Sequence, residues 1–135
     1  MMNRQQFEIV EIDDDDLLYR RLPHWDFRPD GSLVASTYTT SEQSSPGQPI
    51  RTVPDPHISV DLARLTTKER TRAAEHSRKI PFGLGELTVG EVRALGFTVR
   101  HDPSRKNKAH CLIEGLKTET DCAMLRDITR IIIRP

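Results

Sequence analysis

His57-Ile58-Ser59-Val60-Asp61-Leu62 alternates polar and apolar side chains at every step. An extended chain points successive side chains to opposite faces, so Ile58, Val60 and Leu62 share one face, and His57, Ser59 and Asp61 share the other. A strand of this kind is half-buried, with core on one side and water on the other, as antiparallel sheets allow. Downstream, Thr66-Thr67-Lys68-Glu69 reads as a capping box. It predicts a helix over 67–78 that carries Arg70, Arg72, Arg78 and Lys79 and ends before Pro81. Residues 82–88 read as a glycine-opened strand, and 89–95 as a short helix with Gly96 as its cap. Residues 97–101 and 109–113 pair as a hairpin around the turn Asp102-Pro103-Ser104-Arg105-Lys106-Asn107. Thr118-Glu119-Thr120-Asp121 caps a final helix whose buried stripe is Cys122, Leu125, Ile128 and Ile132. The β-branched run Ile131-Ile132-Ile133 offers a closing strand as the alternative ending.

Upstream, the stretch from Thr39 through Ser44-Ser45-Pro46-Gly47-Gln48-Pro49 to Pro56 is rich in residues that break helices and central strands. It predicts a mobile surface loop over 40–56. Before it, 7–12 reads as a strand, Asp13 to Asp16 as a solvated turn, 17–22 as a short helix stopped by Pro23, and 33–39 as a strand. The expected fold is α+β, a mostly antiparallel sheet with two or three helices packed on one face, in a single domain spanning 1–135.

A chain of 135 residues can bury a core without disulfides. No run approaches the roughly 18 apolar residues of a spanning helix, and Met1-Met2-Asn3-Arg4-Gln5-Gln6 leads into no signal-peptide core. The expectation is no membrane association and a cytoplasmic location. Cys111 and Cys122 form no C-x-x-C pair and sit among apolar residues, so buried free thiols are expected. Net charge is zero, but residues 1–62 hold 11 acidic and 5 basic side chains, while 63–135 hold 9 acidic and 15 basic. The halves can attract each other, or the basic half can meet an anionic partner. Overall neutrality argues against a dedicated duplex-DNA binder. Aromatic residues at 5% poorly supply a base-stacking platform.

The densest polar segment is the hairpin from His101 to His110. His101, Asp102, Asn107 and His110 are candidate catalytic residues: imidazoles that move a proton, a carboxylate and an amide. Arg105, Lys106 and Lys108 are candidate anion-binding cations, joined by Arg70 and Arg72 of the basic helix. The blander alternative is a solvated tip with one histidine packed against the sheet edge. A second candidate group is His57, Ser59 and Asp61 on one strand face, although no G-x-S-x-G elbow accompanies it. The histidines at 24, 57, 76, 101 and 110 show no H-x-x-x-H or H-E-x-x-H spacing, and Gly83-Leu84-Gly85 lacks the rest of a dinucleotide fingerprint. No metal and no cofactor are expected.

Three resemblances bear on these residues. His57-Ile58-Ser59-Val60 resembles the His-x-Ser/Thr-apolar motif of two-histidine phosphoesterases, but His110-Cys111-Leu112-Ile113 has Leu112 where that family has a hydroxyl. Leu18-Tyr19-Arg20-Arg21 with Ser36-Thr37 resembles the opening of ADP-ribosyltransferase-like folds, where those elements hold a nicotinamide dinucleotide; Glu86 and Glu114 are the possible third element. Leu18-Tyr19-Arg20-Arg21, Ser59-Val60-Asp61, His101-Asp102-Pro103 and Asn107-x-Ala109-His110 together resemble a pattern in short uncharacterised bacterial proteins, which implies no activity. His57 is not part of that pattern. The expected function is a non-catalytic binding or accessory protein acting through a protein or nucleic-acid partner. The alternative is a small enzyme acting on a phosphate-bearing substrate such as RNA at the 101–110 hairpin.

Overall fold

The computed structural model describes residues 7–73 and 82–135. Its strands and helices are β1 (Leu17–Pro23), β2 (Thr39–Glu42), β3 (Arg51–Pro54), β4 (His57–Leu62), α1 (Lys68–Arg72), β5 (Phe82–Thr88), α2 (Val89–Ala94), β6 (Thr98–His101), β7 (His110–Glu114), α3 (Glu119–Asp127) and β8 (Arg130–Ile133). Six strands form an antiparallel sheet in the order β6-β7-β4-β1-β5-β8, and β2 and β3 make a separate hairpin. The chain is thus α+β with a mostly antiparallel sheet.

The alternation of β4 propagates across its neighbours through register. Ile58 lies opposite Ile113 and Val60 opposite Cys111, while Leu18 of β1 faces both Leu62 and Leu87. These side chains form one continuous apolar face, covered by Val89 and Val92 of α2, Cys122 and Leu125 of α3, and Tyr38. Each fully buried aliphatic side chain here contributes about 1.5–3 kcal/mol. Two anchors hold α3 down. Thr118 and Asp121 form the expected reciprocal capping box, and the Tyr38 hydroxyl meets Thr129 Oγ1 at 2.8 Å. Gly85 permits this docking, because a Cβ there would sit 2.8 Å from Thr129 Cγ2. The opposite face presents His57, Ser59 and Asp61 of β4 and His110, Leu112 and Glu114 of β7. Only α1 reaches that side among the described helices, through Thr71, whose hydroxyl donates to Asp61 at 2.7 Å.

Several expectations need correction. Residues 17–22 are not a helix but the centre of the sheet, β1, paired with β5 at all seven positions. Six residues cannot sustain a helix alone, and two flanking strands decide the matter. Residues 7–12 join no strand; the Val10 N–H donates to His101 Nδ1 rather than to a neighbouring carbonyl. Residues 35–38 turn as a 3-10 helix, so Ser36 and Thr37 do not lie on the strand that the ADP-ribosyltransferase resemblance requires. The segment 40–56 is largely taken up by the β2–β3 hairpin, whose turn holds Gly47 at φ +87°. The helix cap is Thr67, not Thr66: Thr67 Oγ1 accepts from Arg70 N, and α1 is described over five residues. Arg78 and Lys79, expected on this helix, lie outside the described residues, as does His76. The run Ile131-Ile132-Ile133 belongs to β8, which closes the sheet beside β5. No helix among the described residues is long and apolar enough to cross a membrane.

Candidate functional site

Register places the polar side chains of β4 and β7 side by side. Asp61 lies opposite His110, Ser59 opposite Leu112, and His57 opposite Glu114. His110 reaches diagonally to Ser59, with Nε2 3.1 Å from the serine Oγ. Its Nδ1 lies 3.0 Å from the Asp102 carbonyl oxygen and 3.2 Å from Asp102 Oδ2. Both of these partners only accept, so Nδ1 carries the proton of the neutral ring. Nε2 is then a lone pair, and the Ser59 hydroxyl donates to it. Ser59 is exposed, and His110 is half-buried.

Asp61 ties two segments to this face. It accepts from Thr71 of α1 at 2.7 Å and from Asn107 Nδ2 of the β6–β7 turn at 2.8 Å. Asn107 also stiffens its own turn, accepting from the Ala109 N–H at 3.1 Å. Asp61 thus links the two cationic segments of the chain. Arg70 on α1 and Arg105 and Lys106 on the turn are all exposed, and none forms an ion pair among the described residues. Arg72 is engaged differently, donating from Nε to the Phe82 carbonyl at 2.8 Å. Beneath them on β1, Arg21 stacks over Phe82 at 5.3 Å, and its Nη1 is buried with no hydrogen-bond partner among the described residues. Burial pushes the Arg21 pKa down, opposed by the charge of Asp61.

At the far end of the face, charges pair with one another. Arg100 donates to Glu114 at 3.0 Å, and His57 Nδ1 meets the same carboxylate at 2.8 Å. The Arg100 hydrogen bond, aided by that of His57, holds Glu114 below the usual carboxylate range. His57 is thereby drawn to Glu114, not to Ser59, so the grouping of His57, Ser59 and Asp61 does not form.

His101 is separated from the other candidates. It lies opposite Cys111 and is buried on the apolar side. Its Nδ1 accepts from Val10 N at 3.0 Å, so Nε2 must donate to the Lys108 carbonyl, 2.8 Å away. Lys108 lines a cavity of about 310 Å³ beside His101, Phe7, Val10 and Leu65. The structure therefore brings together His110, Asp102 and Asn107, adds Ser59 and Asp61 as their partners, and leaves His101 and Lys108 elsewhere. The segments 18–21, 59–61, 101–103 and 107–110 are neighbours in space: Arg20 donates to the Ser59 carbonyl at 2.8 Å, and the remaining links run through Ser59, Asp61 and His110. No protein-family model, curated protein or solved structure matches the chain.

Proposed function

We propose that this protein acts by binding, and that it engages the phosphate backbone of a nucleic acid through Arg70, Arg105 and Lys106. The supporting observation is Asp61, which joins α1 and the β6–β7 turn and so gathers cations that are far apart in sequence. Exposed cations that form no ion pair among the described residues can replace the counterions of a polyanion. Thin aromatic supply favours backbone contact over base stacking. The phosphate-processing alternative relies on His101 and His110 acting together, and the sheet lies between them. The two buried free thiols, Cys111 and Cys122, suit a reducing compartment, and we assign the cytoplasm.

The test is fluorescence anisotropy with labelled RNA and DNA oligonucleotides across a salt series. Wild type should bind at low salt, with log affinity falling linearly with log salt. The triple variant Arg70→Glu, Arg105→Glu, Lys106→Glu should lose at least about tenfold in affinity and flatten that slope. Equal binding by both proteins, or none by wild type at low salt, would refute the assignment and leave a protein partner as the better reading.

A further inference from the structure

Within the polar face, one hydroxyl stands apart. Ser59 donates to an imidazole lone pair, His110 Nε2, at 3.1 Å, and the other nitrogen of that ring is held by Asp102. We propose that Ser59 is a nucleophile, activated by His110 and positioned through Asp102, that accepts an acyl group from a carboxylic ester. This goes beyond anion binding and stands independently of it.

The argument rests on proton placement. A serine hydroxyl is a weak nucleophile until a base takes its proton. Nε2 can do so, because the two Asp102 oxygens fix the proton of the neutral ring on Nδ1. As Ser59 Oγ attacks the carbonyl carbon, its proton passes to Nε2, and the new Oγ–C bond replaces the ester C–O bond. The departing alkoxide takes that proton and leaves as the alcohol. Water then attacks the acyl-serine, and Nε2 accepts and returns a proton. The products are the carboxylic acid and free Ser59. While the ring is cationic, the Asp102 carboxylate at 3.2 Å offsets its charge.

Location supports the same reading. Ser59 is exposed on a face that no described helix covers at that point, so an ester can approach from solution. Leu112 lies directly opposite Ser59 across the β4–β7 ladder, half-buried, and supplies apolar surface for an acyl chain. The two cysteines cannot substitute as nucleophiles. Both are buried, and burial pushes the Cys111 thiol up to about 12.

The experiment uses a fluorophosphonate reporter, with the labelled residue identified by mass spectrometry, and 4-nitrophenyl butyrate hydrolysis in parallel. Wild type should be labelled at Ser59, and Ser59→Ala should not be labelled. His110→Gln should slow labelling by about 10²-fold, the scale of a lost general base. Asp102→Asn should slow it less and move the pH at which labelling is half-maximal, a change that a merely structural residue would not produce. Denaturation midpoints of all variants separate lost reactivity from lost fold. If His110→Gln proves unstable, Ser59→Cys in the wild-type background supplies the second arm. Its introduced thiol should react with iodoacetamide faster than an unstructured cysteine peptide. Absent labelling of Ser59 in the folded wild type, equal labelling in folded His110→Gln, or an introduced thiol no faster than the peptide would each overturn the proposal.

Discussion

His101 and His110 belong to neighbouring strands of one hairpin, yet they are opposite kinds of residue. His101 is buried on the apolar side and spends both nitrogens on backbone groups, Val10 N–H and the Lys108 carbonyl. It pins the N-terminal segment to the sheet and keeps no lone pair for other work. His110 faces the polar side, where Asp102 fixes its proton and leaves Nε2 directed at an exposed hydroxyl. The two faces of the sheet repeat this contrast. One is an apolar layer closed by α2 and α3, where removing atoms leaves cavities. The other, along β4 and β7, is a polar network in contact with water, where removing atoms alters chemistry.

The largest effect should come from the closed layer. Leu125 is fully buried on α3, among core residues. Leu125→Ala removes its contacts and leaves a void, costing about 2–5 kcal/mol. A urea denaturation midpoint equal to that of wild type would mean that α3 is not part of the core and that the contrast between faces is misdrawn. His101→Leu should come next, at about 1–3 kcal/mol, because it keeps the bulk but leaves the Val10 N–H and Lys108 carbonyl without partners. Amide exchange should accelerate at Val10. An unchanged midpoint with unchanged exchange at Val10 would remove His101 from its structural role.

Much of this architecture was legible in the sequence, and the failures have a common cause. Period-two alternation marked β4 and the faces of β7, and the Thr118–Asp121 capping box announced α3, because both signals are local. The run Leu17-Leu18-Tyr19-Arg20-Arg21-Leu22 has no clean period, and only its neighbours make it a strand. Ser59 and Asp61 stood out as polar residues on one face, but His57, the nearest imidazole in sequence, is held by Glu114. Their actual partners come from β7 and the β6–β7 turn, and cross-strand register is not written in either strand alone. The histidine pair shows the same limit. His101 lies opposite Cys111, not His110, and a one-residue difference in register moves a side chain to the other face.

The smallest effect is the one that most sharpens the contrast. Ser59→Ala deletes a hydroxyl whose hydrogen bond to His110 is the only side-chain bond it makes among the described residues. On the closed face such a deletion would strand a buried acceptor. Here Ser59 is exposed and His110 only half-buried, so water can take the place of the hydroxyl at Nε2. The Ser59 carbonyl still accepts from Arg20, because that bond belongs to the backbone. His110 keeps its anchor at Asp102 through Nδ1. Nothing that orders the sheet is lost, and the change in stability should stay within about 0.5 kcal/mol, the range of surface substitutions. Urea denaturation of wild type and Ser59→Ala, read by circular dichroism, checks this directly. A loss above about 1 kcal/mol, beyond that surface range, would place Ser59 among the residues that hold the sheet together, and the polar face would then be structural in the same sense as the apolar one.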